Sequence, residues 1–264
     1  MFGMAQTDWD PQQYDRFKAQ RSQPFWDLVA MIRPGRIERA VDLGCGTGEL
    51  TSEVASKLDV GIMLGIDSSP SMLEQAERFS VPGLDFAEDD ISSWTSPAEF
   101  DLVLANASLQ WVPDHEAVLA RWSAALRPGG QLVVQVPANS DHASHLASVA
   151  VAHTEPYLAA MNDAPPPDPV ADNVLAPEAY TALLYALGFT EPNVRLQVYP
   201  HVMPSTASVA EWTKGTSLTR FFKVLPAELH APFVDDYRAE LVRRIGDRSP
   251  YLFAFKRILI HGQR

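Results

Sequence analysis

Residues 39–49 read Arg-Ala-Val-Asp-Leu-Gly-Cys-Gly-Thr-Gly-Glu. The apolar residues up to Leu43 predict a short buried strand, and an apolar helical pattern resumes at Leu50. Glycine has no β-carbon, so it lets a ligand lie against the backbone and adopts positive φ without strain. The pattern therefore predicts a strand, a ligand-binding turn and a helix, with the turn built on three alternate glycines: Gly44, Gly46 and Gly48.

The spacing of these glycines distinguishes between two kinds of nucleotide site. Dinucleotide sites favour Gly-x-Gly-x-x-Gly with the pyrophosphate at a helix N-terminus, whereas this loop is Gly-x-Gly-x-Gly and follows Asp42. A carboxylate beside the loop repels a pyrophosphate but attracts an ammonium or sulfonium group. We therefore predict S-adenosyl-L-methionine, which carries both cations, as the cofactor. A nicotinamide-dinucleotide oxidoreductase is the disfavoured alternative.

A second carboxylate completes the predicted nucleoside site. Residues 61–67 form another apolar run, which ends in Asp67 roughly twenty residues beyond the glycine loop. At this separation, an acid at the end of the second strand accepts the ribose hydroxyls. A third strand over residues 84–87 leads to Asp90 and Ile91, for which we predict a hydrogen bond to the adenine amino group and packing against the ring.

The remaining strand patterns are typical of a parallel sheet. Residues 100–106 are nearly all apolar, as strands buried on both faces must be. Because strands alternate with helices, we predict an α/β fold with a doubly wound, mostly parallel, seven-stranded, Rossmann-like sheet and a helical lid. Ligands bind at the carboxyl ends of such strands, so residues 106–112 should border the reaction centre. The later strands are predicted over residues 131–136, 194–203 and 251–261.

Helices are predicted between these strands. Asp10 and Pro11 open an N-terminal helix whose spacing places Arg21 on the face of Tyr14. That face either covers a ligand or lets the guanidinium extend to solvent. The proline-rich residues 164–170 favour neither helix nor strand. Further helices are predicted from Ser22, over residues 47–57, after Pro70, and over residues 114–126, 141–157, 177–187 and 205–246.

The length of 264 residues and the 46% hydrophobic content predict a single domain, residues 1–264. Residues 38–137 are expected to form the cofactor-binding half and residues 138–264 the substrate half. An N-terminal lid (1–34) and a helical insertion at about 205–248 are expected to close over the crevice.

Composition limits the partners. The formal net charge of −12 predicts no nucleic-acid partner. The chain's one cysteine, Cys45, allows neither an intramolecular disulfide nor a cysteine-based zinc site. His142 and His145 have the spacing of metal ligands but lack a third clustered ligand, so we predict solvated histidines and no metal. Without a long apolar run or a signal-peptide pattern, a soluble, cytoplasmic protein that binds no membrane is expected, with no prediction of its oligomeric state.

Several motifs resemble those of the class I S-adenosylmethionine-dependent methyltransferases. They are Val-Asp-Leu-Gly-Cys-Gly-Thr-Gly (41–48), Gly-Ile-Asp-Ser-Ser-Pro-Ser-Met (65–72) and Leu-Arg-Pro-Gly-Gly (126–130). Within this class, the chain is similar nearly end to end to the trans-aconitate 2-methyltransferases, through residues 8–11, 105–115, 199–204 and 252–260. The resemblance implies methyl ester formation on a carboxylate of trans-aconitate, a small tricarboxylic acid.

Methyl transfer to a carboxylate needs no general base, because the nucleophile is already ionised at neutral pH. We therefore predict catalysis by proximity and nominate no catalytic residue. A methyltransferase acting on another nucleophile, such as a phenol or an enol carbon, is the alternative, and it would need a base near Gln110 or His201. The candidate cofactor-binding residues are Asp42, Gly44, Cys45, Gly46, Gly48, Asp67, Ser68, Met72, Asp90, Ile91, Asn106, Ala107 and Arg21.

A tricarboxylate requires cationic partners, preferably guanidinium groups, because an unpaired buried carboxylate is costly. Period-two alternation along the last strand places Arg257 on the same face as Phe255. We predict that at least one of the cations contacts the acid. The cationic candidates are Arg21, His201, Arg220 and Arg257, and the polar or aromatic walls are Tyr14, Gln110, Trp111 and Tyr199.

Overall fold

The computed structural model describes residues 22–264. The predicted N-terminal helix, together with Tyr14 and Arg21, lies outside the described residues. Residues 22–29 are helical and are named α1, which agrees with the helix predicted from Ser22.

Seven strands of the described chain form one sheet. In chain order they are β1 (Arg39–Leu43), β2 (Ile62–Asp67), β3 (Leu84–Glu88), β4 (Phe100–Asn106), β5 (Leu126–Pro137), β6 (Thr190–Met203) and β7 (Tyr251–Gln263). Their spatial order is β3-β2-β1-β4-β5-β7-β6. The first five are parallel, while β7 runs antiparallel to β5 and β6. The predicted mostly parallel, seven-stranded sheet is confirmed.

Helices connect and cover these strands. After α1 they are α2 (Glu49–Lys57), α3 (Pro70–Ala76), α4 (His115–Ala124), α5 (Ala143–Ala152), α6 (Tyr157–Ala160), α7 (Pro169–Asn173), α8 (Pro177–Ala186), α9 (Ser208–Lys214), α10 (Thr219–Phe222) and α11 (Ala227–Ile245).

The central strand β4 is buried on both faces. Leu102 and Leu104 belong to one hydrophobic core with residues of α1 and α2. Val103 and Ala105 point the other way and belong to a core with residues of α4 and α8. Alternate side chains of one strand therefore enter two cores, which explains its nearly continuous apolar sequence.

A two-stranded extension of the sheet supports a third core. β5 ends at Pro137, which pairs with Arg257, so residues 251–256 of β7 continue past the carboxyl end of β5. They pair there with residues 198–203 of β6. Aromatic residues of this extension, including Phe253, pack with α5, α9 and α11. The insertion between β6 and β7 is thereby held beside the carboxyl edge of the sheet.

Two predicted helix boundaries were wrong. α2 begins at Glu49 rather than at residue 47, because Gly48 has a left-handed conformation with φ of 73°. The helix predicted over residues 114–126 ends earlier, at Ala124, because Leu126 already begins β5, which includes residues 127–130. Its backbone pairs with the end of the chain, since Gly129 N donates to Arg264 O and Arg264 N donates to Gly130 O.

The second half also differs from its predicted elements. The helix predicted over residues 141–157 is divided into α5 and α6, and the predicted helix over 205–246 is divided into α9, α10 and α11. The segment 164–170, predicted to be irregular throughout, ends in the start of α7. Asp168 caps that helix by accepting a hydrogen bond from Val170 N at 3.1 Å, and the proline at the first helical position needs no N–H partner.

None of the helices within residues 22–264 combines the length and the apolarity needed to span a bilayer.

Candidate functional site

The three glycines after β1 all have positive φ: 86° at Gly44, 57° at Gly46 and 73° at Gly48. A β-carbon at Gly44 would lie 2.2 Å from Cβ of Ser108, and one at Gly48 would lie 2.7 Å from the ring of Phe86. At Gly46 it would meet no described atom within 4 Å. The outer two glycines are therefore required by the protein's own packing, whereas the middle one presents bare backbone to open space.

Asp42 is buried at the carboxyl end of β1. Its Oδ2 accepts a hydrogen bond of 2.6 Å from Thr51 Oγ1, while Oδ1 has no partner among the described residues. Burial raises the pKa of Asp42 to about 6 against the opposing effect of the Thr51 hydrogen bond, and the charge of Asp67 adds to the increase. One buried carboxylate oxygen therefore remains available to a donor or cation.

Asp67 ties the end of β2 to the glycine loop. Its Oδ2 accepts from Gly46 N at 2.9 Å, and its Oδ1 accepts from Ser69 N at 2.9 Å. Each carboxylate oxygen retains a further lone pair for a ligand hydroxyl. Ser68, the next residue, and Met72 in α3 are exposed.

The loop after β3 is anchored by α4. Trp122 Nε1 donates to Ile91 O at 3.0 Å, and Arg121 Nη2 donates to Ser92 O. Asp90 is exposed, and hydrogen bonding to Ser92 lowers the pKa of its carboxyl group. This arrangement keeps an ionised acceptor beside the apolar side chain of Ile91, which packs against the core.

The end of β4 and the loop after it carry two buried acceptors without partners in the described chain: Asn106 Oδ1 and Gln110 Oε1. The amide of Gln110 donates to Ala107 O at 2.6 Å, and Ala107 has a positive φ of 54°. Ser108 Oγ donates to Leu43 O at 2.5 Å. The ends of β1 and β4 are thus fastened together, as expected for adjacent strands bordering one crevice.

Aromatic rings surround His201 on the two-stranded extension. Its ring lies 4.7 Å from that of Phe255 and 5.1 Å from that of Trp212. His201 Nε2 is buried without a hydrogen-bond partner among residues 22–264. Burial lowers the pKa of His201, and the charge of Arg257 adds to this effect. The imidazole is therefore neutral at pH 7.

Two further predicted residues lie around the same rings. The guanidinium of Arg257 stands 4.7 Å from the centre of the Phe255 ring, so the predicted shared face is confirmed. Tyr199 stacks on Phe255 at 5.4 Å and donates from its hydroxyl to Asp27 Oδ2 at 2.9 Å. This second contact joins the extension to α1.

Arg220 pairs with Asp168. Arg220 Nη1 lies 3.2 Å from Asp168 Oδ2 and donates to Pro167 O at 2.9 Å. His145 Nδ1 lies 3.0 Å from the same Asp168 oxygen. Burial alone would raise the pKa of Asp168, but the hydrogen bond from His145 and the charges of His145 and Arg220 lower it to about 2.

Other candidates have less enclosed surroundings. Trp111 is 59% exposed. Cys45 is half-buried, and burial, with the charges of Asp42 and Asp67, raises the pKa of its thiol. Residues 22–264 contain no group of three potential metal ligands, and His142 Nδ1 bonds with Ser144 instead.

Sequence reasoning missed the residues that fix the candidates in place. Thr51, Ser108 and Asp27 are ordinary polar residues within their elements, and the partners of Ser108 and Asp27 are remote in sequence. The prediction that His145 is solvated was wrong, because its side chain is only 12% exposed and contacts Asp168. For Asp168 a signal was available, because Asp followed by Pro is typical of a helix start.

Comparisons with known proteins agree on one class of enzyme. Residues 40–130 match the family model described as a methyltransferase domain. The trans-aconitate 2-methyltransferase of Deinococcus radiodurans is 42% identical over 257 residues, covering 97% of this chain and 98% of that protein. The enzyme of the same name from Methylobacterium radiotolerans is 37% identical over 98% of this chain and 99% of its own.

Two solved structures share the fold. Phosphoethanolamine N-methyltransferase 2 of Haemonchus contortus, in complex with S-adenosyl-L-methionine, has a TM-score of 0.58 and 17% identity, covering 92% of this chain and 52% of that one. The YcgJ protein of Bacillus subtilis has a TM-score of 0.59 and 15% identity, covering 91% of this chain and 97% of its own. At these identities the likeness concerns architecture alone.

Proposed function

The chain belongs to the trans-aconitate 2-methyltransferase family, and on that premise we propose that it transfers the methyl group of S-adenosyl-L-methionine to a carboxylate of trans-aconitate. The product is a methyl ester, and the reaction is a displacement at the methyl carbon.

One observation carries the cofactor assignment. Gly46 presents open backbone close to Asp42, whose buried Oδ1 lacks a partner among the described residues. A carboxylate with one oxygen free to accept attracts an ammonium or sulfonium group and repels a phosphate. S-adenosyl-L-methionine supplies an electrophilic methyl group on a positively charged sulfur.

The cofactor site, as we propose it, follows the strand ends. Asp67 binds the ribose hydroxyls, Asp90 and Ile91 bind the adenine, and Asn106 lies near the methyl donor. The full set adds residues that border these groups: Gly44, Cys45, Gly48, Ser68, Met72, Ala107 and Arg21, the last outside the described residues.

The substrate site, in the same proposal, lies between the loop after β4 and the two-stranded extension. Arg257 and His201 supply polar hydrogen atoms beside aromatic walls, and Arg220 supplies a second guanidinium. A buried carboxylate needs such partners because losing its hydration is costly. The remaining proposed contacts are Gln110, Trp111, Tyr199 and Tyr14, of which Tyr14 lies outside the described residues.

Catalysis then depends on position rather than on proton transfer. Since the carboxylate carries no proton at neutral pH, the neutral His201 acts as a hydrogen-bonding wall and not as a base. The protein holds one carboxylate oxygen about 3 Å from the methyl carbon. In this proposal residues 38–137 serve the cofactor and residues 138–264 the acid, within one domain. The proposed lids are residues 205–248 and residues 1–34, and residues 1–21 of the latter lie outside the described residues.

The proposed setting is the cytoplasm, and the proposed partners are small molecules. The net charge of −12 supports the exclusion of nucleic acid.

The test is incubation with labelled S-adenosyl-L-methionine and a panel of di- and tricarboxylic acids. We expect label in a trans-aconitate monoester, identified by mass and released by mild base. A base-stable product on a phenol or carbon acceptor would contradict ester formation. Absence of transfer to every acid, with S-adenosylhomocysteine bound, would contradict the substrate class.

A further inference from the structure

The guanidinium of Arg220 has one occupied side and one unoccupied side. Its side chain is only 9% exposed. Nη1 is occupied by Asp168 Oδ2 and Pro167 O, whereas Nε and Nη2 are buried without a hydrogen-bond partner among the described residues. Buried donors are almost always satisfied in folded proteins, so these two nitrogens indicate an acceptor that is not among the described residues.

The two unsatisfied nitrogens define the chemistry of that acceptor. Nε and Nη2 lie on one edge of the planar guanidinium and present two nearly parallel N–H groups. This spacing matches the two oxygens of a carboxylate in a bidentate pair. A single carbonyl or water oxygen would have to share both donors of Arg220, whereas a carboxylate gives each donor its own oxygen.

Asp168 determines where this edge lies. It caps α7, and α7 lies against the turn that follows β4, where Asn173 Nδ2 donates to Gln110 O at 3.0 Å. The Asp168 carboxylate is also contacted by His145 of α5, whose Nδ1 lies 3.0 Å from Oδ2. Three segments, α5, α7 and α10, are therefore joined through one carboxylate beside the loop that borders the crevice.

We propose that the Nε and Nη2 edge of Arg220 binds one of the two substrate carboxylates that are not methylated, and that Asp168, supported by His145, is a positioning residue for that guanidinium. This inference rests on the proposed function. It assigns Arg220 to recognition of the acid rather than to the transfer step.

The assignment has a consequence for specificity. An acid that lacks this carboxylate leaves the buried edge of Arg220 unsatisfied, and sites built to hydrogen-bond a substrate group reject analogues without it. Each analogue of trans-aconitate with one carboxylate removed therefore probes a different partner. The three are mesaconate, cis-glutaconate and itaconate.

The experiment measures the dissociation constants of these four acids for the S-adenosylhomocysteine complex by isothermal titration. In Arg220→Gln we expect trans-aconitate to bind about 10- to 100-fold more weakly. We also expect one of the three analogues to bind the variant and the wild type equally, because it lacks the group that Arg220 holds. Arg220→Lys keeps the charge but not the paired donors, and it should show the same selective loss.

Asp168→Asn should weaken the binding of trans-aconitate by a smaller factor and leave the binding of the same analogue unchanged. A general loss of stability would not spare one analogue. The matched control is Arg238→Gln, because the guanidinium of Arg238 already pairs with Glu211 and Asp235. This variant should bind every acid with the affinity of the wild type. Binding of S-adenosylhomocysteine, unchanged within about twofold, shows that each variant is folded.

Equal weakening of all four acids by the Arg220 variants, or no weakening, overturns the assignment. If the Arg220 variants give either of these results and the wild type still methylates trans-aconitate, only the inference on Arg220 fails. If the wild type neither binds nor methylates trans-aconitate, the proposed function fails and this inference fails with it.

Discussion

Thr51 donates its hydroxyl hydrogen to Asp42 Oδ2 over 2.6 Å, and both residues are buried beneath the glycine loop. The hydrogen bond fixes the carboxylate so that Oδ1, unpartnered among the described residues, is the oxygen left for a ligand. Because burial raises the pKa of Asp42 to about 6, its ionisation can be followed under conditions in which proteins remain folded.

Cofactor binding should weaken in acid. A positively charged ligand prefers the ionised form of Asp42, so its binding is fully supported above the pKa of about 6 and is lost as the pH falls below it. We expect the dissociation constant of S-adenosylhomocysteine, measured by titration calorimetry, to be constant from pH 7 to 8. Below pH 6 it should rise by up to about tenfold per pH unit.

Two variants separate Asp42 from other titrating groups. Asp42→Asn should bind weakly at every pH, with the pH dependence flattened. Thr51→Val should move the onset of weakening to higher pH, because the hydroxyl holds the pKa of Asp42 down. An affinity that stayed the same from pH 8 to pH 5 in the wild type would rule out contact between Asp42 and the cofactor's cation.

Alanine at the glycines should separate stability from binding. At Gly44 the new β-carbon would lie 2.2 Å from Cβ of Ser108, so Gly44→Ala should lower the free energy of unfolding in urea by more than about 2 kcal/mol. A β-carbon added at Gly46 would have no described atom within 4 Å apart from its chain neighbours. The free energy of unfolding of Gly46→Ala should therefore fall by only about 1 kcal/mol, because alanine is strained at a positive φ. The variant should nevertheless bind S-adenosylhomocysteine at least about tenfold more weakly.

Gly35→Ala is the control for this pair, because Gly35 also has open space around its missing β-carbon but precedes β1, at the opposite end of that strand from the glycine loop. It should change neither unfolding nor affinity. If Gly46→Ala bound the cofactor like the wild type, the backbone at Gly46 would not be a ligand contact.

His115 connects the loop after β4 to α8. Its Nε2 contacts Leu109 O at 2.9 Å, and its Nδ1 contacts the Tyr180 hydroxyl at 2.6 Å. A carbonyl only accepts, so Nε2 carries the hydrogen and Nδ1 accepts from Tyr180. The hydroxyl oxygen in turn accepts from Leu175 N at 3.3 Å.

Tyr180→Phe should therefore leave two buried groups unsatisfied. We expect the free energy of unfolding in urea to fall by about 1 to 3 kcal/mol. Tyr185→Phe, in the same helix but 77% exposed, should stay within about 0.5 kcal/mol of the wild type. Equal effects of the two changes would show that the hydroxyl of Tyr180 contributes no buried hydrogen bond.

Local patterns predicted the first half of the fold well. β4 was predicted with its observed bounds, because a strand buried on both faces has an unbroken apolar sequence. The second half was less accurate where tertiary contacts override local signals. Gly129 and Gly130 have the composition of a turn, yet the end of the chain pairs with them and extends β5, and no local pattern encodes that partner.

The candidate site shows the same division. The chain order of Asp42 and Asp67 reflects the repeated strand-turn-helix unit, so their neighbourhood could be predicted from spacing. The pairing of Arg220 with Asp168 could not, because 52 positions separate the two residues and Asp168 lies in a proline-rich segment without periodicity. Contacts across such distances depend on how α7 and α10 pack.

Acid should also destabilise the protein through His261. Burial lowers the pKa of His261 to about 4, and the charges of Arg33 and Arg195 add to this effect, whereas the unfolded chain keeps a value of about 6.5. The unfolded state therefore binds the proton first as the pH falls. The contribution of neutral His261 to the free energy of unfolding is fully present above pH 6.5 and decreases toward pH 4, by at most about 3 kcal/mol. Because carboxylates also titrate, the measurement is the difference in urea unfolding between pH 7 and pH 4.5. This difference should be smaller in His261→Gln than in the wild type and unchanged in a variant of the exposed His153, and equal losses in all three proteins would contradict the role of His261.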